Sequence, residues 1–289
     1  MELLPQFLVD GLIIGGTYAL LGIGLTLIFG LMGVVNFAHG EFCTLGAYAA
    51  FFAMSALAPN FLLALLAAIV TATVLGTLVE RLIAPIRHES IDTTMLVMIG
   101  VWITMQNAEL LVWGGVAKHI PHPFPSEPVV LGPVSVAPIR LFVFGVAVAL
   151  IFGAHTLIHR TKLGRAMRAT FQDQQTAALM GVRIERIHTI TFAFGSALAA
   201  AAGALLGSVF LVYPSMGDLA LQKAFSVVIL GGLGNFVGAA LGGLLLGMAE
   251  ELGAGLVSSG YRDAIGFLLI ILILLFRPSG LFARKERVG

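Results

Sequence analysis

Residues 61–79 read FLLALLAAIVTATVLGTLV, a run without a single charge. Wound as an α-helix, it covers about 28 Å, close to the thickness of a bilayer's hydrocarbon core. The run does not alternate polar with apolar residues, as a strand of a membrane barrel must, and neither does IGFLLIILILLF at 265–276. Eight apolar segments of this kind follow one another, at about 8–31, 38–57, 62–84, 95–117, 139–158, 189–213, 224–250 and 263–276. Polar connectors at 85–94, 118–138, 159–188, 214–223 and 251–262 separate them. Hydrophobic residues make up 58% of the chain and charged ones 11%, where soluble domains carry about a quarter. The pattern predicts an all-α polytopic membrane protein, folded as a single transmembrane domain over 1–289. The one cysteine, Cys43, excludes an internal disulfide and any multi-cysteine metal site. Met1 to Gln6 lacks a basic stretch and no A-x-A site follows the first apolar run, so a cleavable leader is not expected.

Basic residues orient such a chain, because short cytoplasmic connectors collect Lys and Arg. Arg160, Lys162, Arg165, Arg168, Arg183 and Arg186 lie in 159–188, and Arg277, Arg284, Lys285 and Arg287 lie in the tail. Both regions are therefore expected in the cytoplasm, and Arg81 and Arg87 argue the same for 85–94. The connector 118–138, with HIPHPFP and one Lys, reads as an ordered loop on the opposite side. Three apolar segments separate the two cytoplasmic regions, and three single crossings would leave the tail outside. The segment 224–250 offers the resolution, being interrupted by Gly231, Gly232, Leu233, Gly234 and Asn235. Its first piece, about seven residues long, spans only about 10 Å of helix. The expectation is a re-entrant or twice-crossing element whose break lines a path, since non-helical backbone inside a membrane needs protein or water around it. Its glycines also fit small-xxx-small helix packing at Gly238 to Gly242 and Gly243 to Gly247.

Three polar groups stand out against this background. In GLMGVVNFAHGEFCTLGAY, Asn36, His39 and Glu41 fall together. Asn36 is placed to cap the second helix, with His39 and Glu41 in its first turns at the inner mouth of a path or gate. In TMQNAEL, Gln106, Asn107 and Glu109 are polar membrane residues that face a path or another helix. In the 159–188 connector, Asp173 is placed to cap a short helix from Gln174 to Met180, with Ala177, Ala178 and Met180 sharing an apolar surface and Gly181 ending it. Such a short helix needs a surface to pack on: its own protein, lipid or a soluble partner. No phosphate-binding G-x-x-x-x-G-K-[ST] occurs. HGE at 39–41 lacks the P-C-x-x-C that a zinc deaminase requires, and His155 with His159 lacks a third metal ligand. No metal site and no nucleic-acid partner are expected.

Four blocks carry a resemblance: GLTLIFGLMGVVNFAHGEFCTLGAY, the 159–188 connector, VVILGGLGNFVGAALGGLLLGMAE and LLFRPSGLFAR. In order and over nearly the whole chain they resemble the shorter permease subunit of branched-chain amino-acid ABC importers. The resemblance implies a half-pore in the bacterial inner membrane, paired with a longer permease subunit. It further implies two cytoplasmic ATPases, which use ATP and Mg while this chain holds no cofactor, and a periplasmic binding protein that delivers Leu, Ile or Val. QTAALMG is similar to the E-A-A-x3-G pattern of importer coupling helices, with Gln175, Thr176 and Ala177 leading and Gly181 at the glycine. The leading acid and the downstream proline of that pattern are absent here. Asp173, Thr176, Ala177, Ala178, Met180 and Gly181 would then meet an ATPase, and Gly231, Gly232, Gly234 and Asn235 would join Asn36, His39 and Glu41 along the path. The same importer type carrying urea or short amides, an ion-coupled secondary transporter, and a passive channel for small neutral solutes stand as alternatives.

Overall fold

The computed structural model describes residues 4–56, 60–87, 89–125 and 127–282. The chain runs α1 (Leu4–Met32), α2 (His39–Ala56), α3 (Phe61–Ile83) and α4 (Ile91–Trp113), then a hairpin of β1 (Val129–Leu131) and β2 (Val134–Val136). It continues through α5 (Pro138–Arg160), α6 (Lys162–Gln172), α7 (Gln174–Leu179), α8 (Ile184–Val209), α9 (Met216–Gly231), α10 (Phe236–Leu256) and α11 (Arg262–Phe276). Local chemistry sets the starts: Asn60 accepts from the Leu62 and Leu63 amides, Ser90 from Thr93, Thr161 from Gly164, and Pro138 stands in the first turn of α5. Seven helical stretches among the described residues are long and apolar enough to span a bilayer: those of α1, α3, α4, α5, α8, α10 and α11. The chain is a polytopic all-α membrane protein. α1 and α8 are its buried centre, and α4, α5 and α11 are peripheral.

Two faces of the bundle are defined by its contacts. Gln6 accepts from the Ser135 amide (2.8 Å) and Asp10 pairs with Arg140 (2.7 Å), so α1 starts at the hairpin face. Gln174 donates to the Leu31 carbonyl (3.1 Å), so α1 ends at the face carrying α6 and α7, here the connector face. α10 packs antiparallel on α1 through small residues. A Cβ on Gly247 would stand 2.5 Å from the Gly15 Cα, and one on Gly11 would stand 2.6 Å from the Met248 Cα. Only glycine permits that approach, so the small-xxx-small spacing is an interhelical contact. Gly238 and Gly242 serve α9 in the same way, lying against Gly231 and the Val227 carbonyl.

The interruption within 224–250 is present, at 232–235, where Gly232 and Gly234 have φ of +90° and +75°. The two sides are antiparallel helices that both reach the connector face, so the re-entrant expectation resolves into passes in opposite directions. The first helix is longer than the expected seven residues, because it begins upstream at Met216, in sequence that reads as polar connector. α8 ends at the hairpin face, where Val212 and Lys118 exchange backbone hydrogen bonds of 2.8 Å. The stretch 210–215 and α9 descend, α10 rises, and α11 descends to place the Leu281 amide on the Leu230 carbonyl (2.9 Å). That parity puts the end of the described chain on the connector face. Arg284, Lys285 and Arg287 lie outside the described residues.

The start of α2 is a second correction. His39 Nε2 donates to the Leu21 carbonyl (3.1 Å), and Gly24 lies against the same ring. From Leu21 to Met32 is about 16 Å of helix, so α2 begins deep inside the bundle and not at its inner mouth. Gly33, at φ +67°, ends α1 with its amide on the Phe29 carbonyl (2.8 Å), and 33–38 climbs back without helical structure. Asn36 therefore does not cap α2 with its side chain. Its carbonyl accepts from His39 (3.3 Å), while neither side-chain atom has a hydrogen-bond partner.

Candidate functional site

Two helices begin at the same depth and touch there. Gly217, in the first turn of α9, lies on Gly40 of α2, and a Cβ at Gly217 would stand 2.7 Å from Thr44 Oγ1 and 2.8 Å from Glu41 Oε1. α4 closes a third side. Glu41, Thr44 and Tyr48 share one face of α2, and Trp102, Gln106, Glu109 and Trp113 share one face of α4 by helical spacing. Gln106 donates to Asp218 Oδ1 (2.9 Å), and Tyr48 stacks on Trp113 with ring centroids 4.1 Å apart. The Glu41 carboxyl faces that of Glu109, with the Trp102 indole beside it. Both carboxyls are buried, and neither meets a cation among the described residues. The Tyr48 hydroxyl, close to Glu109, is buried without a hydrogen-bond partner.

The structure thus gathers Glu41, Gln106 and Glu109 and adds Asp218, Tyr48, Trp102 and Trp113, which sequence reasoning did not select. The helical spacing of polar and aromatic residues, i, i+3, i+7 on 41–48 and i, i+4, i+7, i+11 on 102–113, was the available signal. Asn36 and His39 are buried on the approach to α2. Asn107 is exposed and donates to its own helix at Ile103 (2.7 Å). Gly231, Gly232, Gly234 and Asn235 lie at the connector face, far down α9 from this cluster. There Asn235 caps α10 through the Gly238 amide (3.0 Å) and donates to the Phe282 carbonyl (2.6 Å).

The connector folds as an elbow of two helices, of which the sequence reading anticipated only the second. Asp173 Oδ1 accepts from the Gln175 and Thr176 amides (2.9 and 3.1 Å), and Thr176 Oγ1 donates to Oδ2 (2.6 Å). Those bonds to Thr176 and Gln175 hold the Asp173 carboxyl below its usual pKa. Gly181, at φ +87°, ends the turn, with the Val182 amide on the Ala177 carbonyl (3.0 Å). The apolar surface differs from the expected one. Ala177 is buried against the protein, Ala178 is exposed, and the outward tip is Leu179 and Met180, 88% and 82% exposed. Ala177 and Met180 therefore do not share an exposed surface, and Gly181 turns the chain back after the tip. On its inner side Phe171 fits between Gly30 of α1 and Gly234, close enough that a Cβ on either glycine would meet its ring.

Charged networks hold the frame around these parts. Lys223 in α9 pairs with Glu250 (2.5 Å) and Asp263 (2.6 Å), and Tyr18 donates to Glu250 (3.2 Å). Near the connector face Arg87 pairs with Glu80 and with His188 Nδ1 (2.5 Å), while Thr189 donates to Glu80 (2.7 Å). His155 and His159 stack on each other, centroids 4.1 Å apart, beside Phe236.

Comparison with known proteins places this architecture. The family model described as "Branched-chain amino acid transport system / permease component" matches residues 7–274. The chain is 40% identical to the high-affinity branched-chain amino acid transport system permease protein BraD of Pseudomonas aeruginosa, over 97% of this chain and 96% of that one. It is 35% identical to permease protein LivH of the corresponding Escherichia coli system, over the same shares. It is 25% identical to the ribose import permease protein RbsC of Escherichia coli, over 89% of this chain and 81% of that one. No solved structure matches. With a family model spanning nearly all of its helices and relatives of this identity along its whole length, the chain belongs to the branched-chain amino acid transport system permease family.

Proposed function

We propose that the chain is one of two permease subunits of an ATP-driven importer of leucine, isoleucine and valine in a bacterial inner membrane. The observation that carries this reading is the elbow on the connector face. A six-residue helix, too short to persist in water, is fixed by the Asp173 cap and the Gly181 turn so that it presents Leu179 and Met180 outward. An exposed apolar tip held rigidly on the connector face is a surface on which a soluble motor can dock. The connector face, with the tail, is then cytoplasmic, in keeping with its Lys and Arg. Asp173, Thr176, Ala178, Met180 and Gly181 build or present that tip, and Ala177 anchors it from beneath. ATP and Mg would be used by two cytoplasmic partner subunits, a longer permease would complete the pore, and a periplasmic binding protein would supply the amino acid. Asn36, His39, Glu41 and Glu109 lie on the translocation side, and Gly231 to Asn235 form the cytoplasmic turn beneath them.

Reconstitution tests the reading. Leucine uptake into vesicles is expected only when the permease pair, the ATPases, ATP and loaded binding protein are all supplied. Uptake by this chain alone, or driven by an ion gradient, refutes it. Uptake of urea or acetamide in place of leucine with the cognate binding protein would keep the importer and change its cargo.

A further inference from the structure

Five glutamates are buried among the described residues, and three of them have a cation from this chain: Glu80 has Arg87, Glu250 has Lys223, and Glu251 has Arg262. Glu41 and Glu109 have each other. The two carboxyls hydrogen-bond to each other, which takes one proton held between them, and an ammonium group from outside the chain can take that proton's place. The surroundings favour an anionic site. Glu41 and Asp218 occupy the first turns of α2 and α9, where helix N-termini stabilise negative charge. The site is not acidic alone. The Tyr48 hydroxyl is completely buried, lies next to Glu109 and has no partner, and the Trp102 indole N–H faces the Glu41 carboxyl.

Resting on the importer reading above, we propose that Glu41, Glu109 and Tyr48 form the mid-membrane contact for the α-ammonium group of the transported amino acid. A primary ammonium has three N–H donors, and two carboxylates with one phenolic oxygen offer three acceptors. The aromatic faces of Trp102, Tyr48 and Trp113 along the same wall suit a cation. Gln106 holds Asp218 to the side (2.9 Å), which keeps that carboxylate as background charge and not as a direct contact. Lys223, the cation of α9, is occupied by Glu250 and Asp263 and does not compete.

Two measurements on the assembled transporter test this. In leucine uptake, Glu41→Gln and Glu109→Gln are each expected to lose at least about tenfold, as for truncation of one partner of a buried charged contact, and Tyr48→Phe severalfold. Thr104→Val, on the exposed side of α4, is expected to leave uptake unchanged. The second readout is tryptophan emission, since Trp102 and Trp113 are this chain's two tryptophans and both border the site. In nanodiscs 3-methylbutylamine, which is leucine without its carboxylate, should shift the emission, and 4-methylpentanoate, which is leucine without its ammonium, should not. Both glutamine variants should abolish the shift. Full uptake in both variants overturns the proposal, as does an equal response to the acid and the amine, or no response to the amine. Loss of co-purification with the second permease in the glutamine variants, with wild type intact, also overturns it by assigning the pair to a cation of that subunit. Wild-type uptake that depends on ATP and binding protein stands independently of all these outcomes.

Discussion

Lys223→Met removes a cation that serves two acids on two other helices. The side chain is 9% exposed, that of Glu250 2%, and that of Asp263 55%. The two arms therefore differ in worth. Asp263 can turn to water, and a half-exposed pair contributes about 0–1 kcal/mol. Glu250 cannot, and removing the partner of a buried charge costs about 3–5 kcal/mol. The Tyr18 hydroxyl remains as a single donor to Glu250 and offsets about 1 kcal/mol of that. The expected net loss is about 2–4 kcal/mol, or roughly 3–7 °C in thermal midpoint for a chain of 289 residues. Glu250→Gln should cost less, because Lys223 keeps Asp263, and the double variant should be more stable than Lys223→Met alone. Detergent-solubilised protein, heated and scored by size exclusion, gives the three midpoints. A loss below about 1 kcal/mol in Lys223→Met, or no recovery in the double variant, refutes the assignment of Glu250 as the stranded charge.

Gly247→Leu should force α1 and α10 apart and cost at least about 3 kcal/mol, the upper end of overpacking, whereas Gly100→Ala, with open space around it, should be neutral or stabilising in the same thermal assay. Leu179→Asp with Met180→Asp should abolish ATP-dependent uptake while leaving the midpoint within about 0.5 kcal/mol of wild type, as expected for exposed positions. Asp173 has its carboxyl pKa lowered in the folded elbow, so its cap is fully formed above its unfolded value near 3.8 and is lost only as pH falls below that. Hydrogen exchange of the Gln175 and Thr176 amides, corrected for intrinsic rates, should therefore show constant protection from pH 8 to pH 5, and protection that fades across that range would contradict the cap.

Segment existence and helical type were legible because a spanning helix must be apolar along its whole length, and residues 61–79 or 265–276 have no other reading. The elbow was legible for a local reason, since Asp173 and Gly181 act within a few residues of where they stand. What escaped was pairing across the bundle. Lys223 and Asp218 sit in a stretch that reads as polar connector, and only the fold reveals that this stretch is the first half of a buried helix whose acid and base find partners on α4, α10 and α11. Asn36 misled for the complementary reason. A capping residue before an apolar run is a sound local signal, but α1 is long enough to carry the chain past the depth at which α2 must begin, and the six residues that climb back set the start of that helix.

α9 is held at three places that do different work. Its first turn touches α2 and offers Asp218 to Gln106, its middle is pinned by Lys223, and its last residue leads into the glycine turn against Phe171 of the elbow. Over sixteen residues it is a strut of about 24 Å from the acidic cluster to the connector face. α1 ends at the same ring through Gly30 and leads by 33–38 into α2, so Phe171 bears on the roots of both helices whose tips meet at Glu41. A displacement of the elbow is then met first by backbone at Gly30 and Gly234, with no side chain between to absorb it. Contact alone does not make coupling, which requires an element with two arrangements. Among the three supports of α9 the Lys223 bridge alone joins it to α10 and α11 by charge, and Asp263 is the member with water to turn to, so the arrangement with that arm released is the one whose population Asp263→Asn would raise.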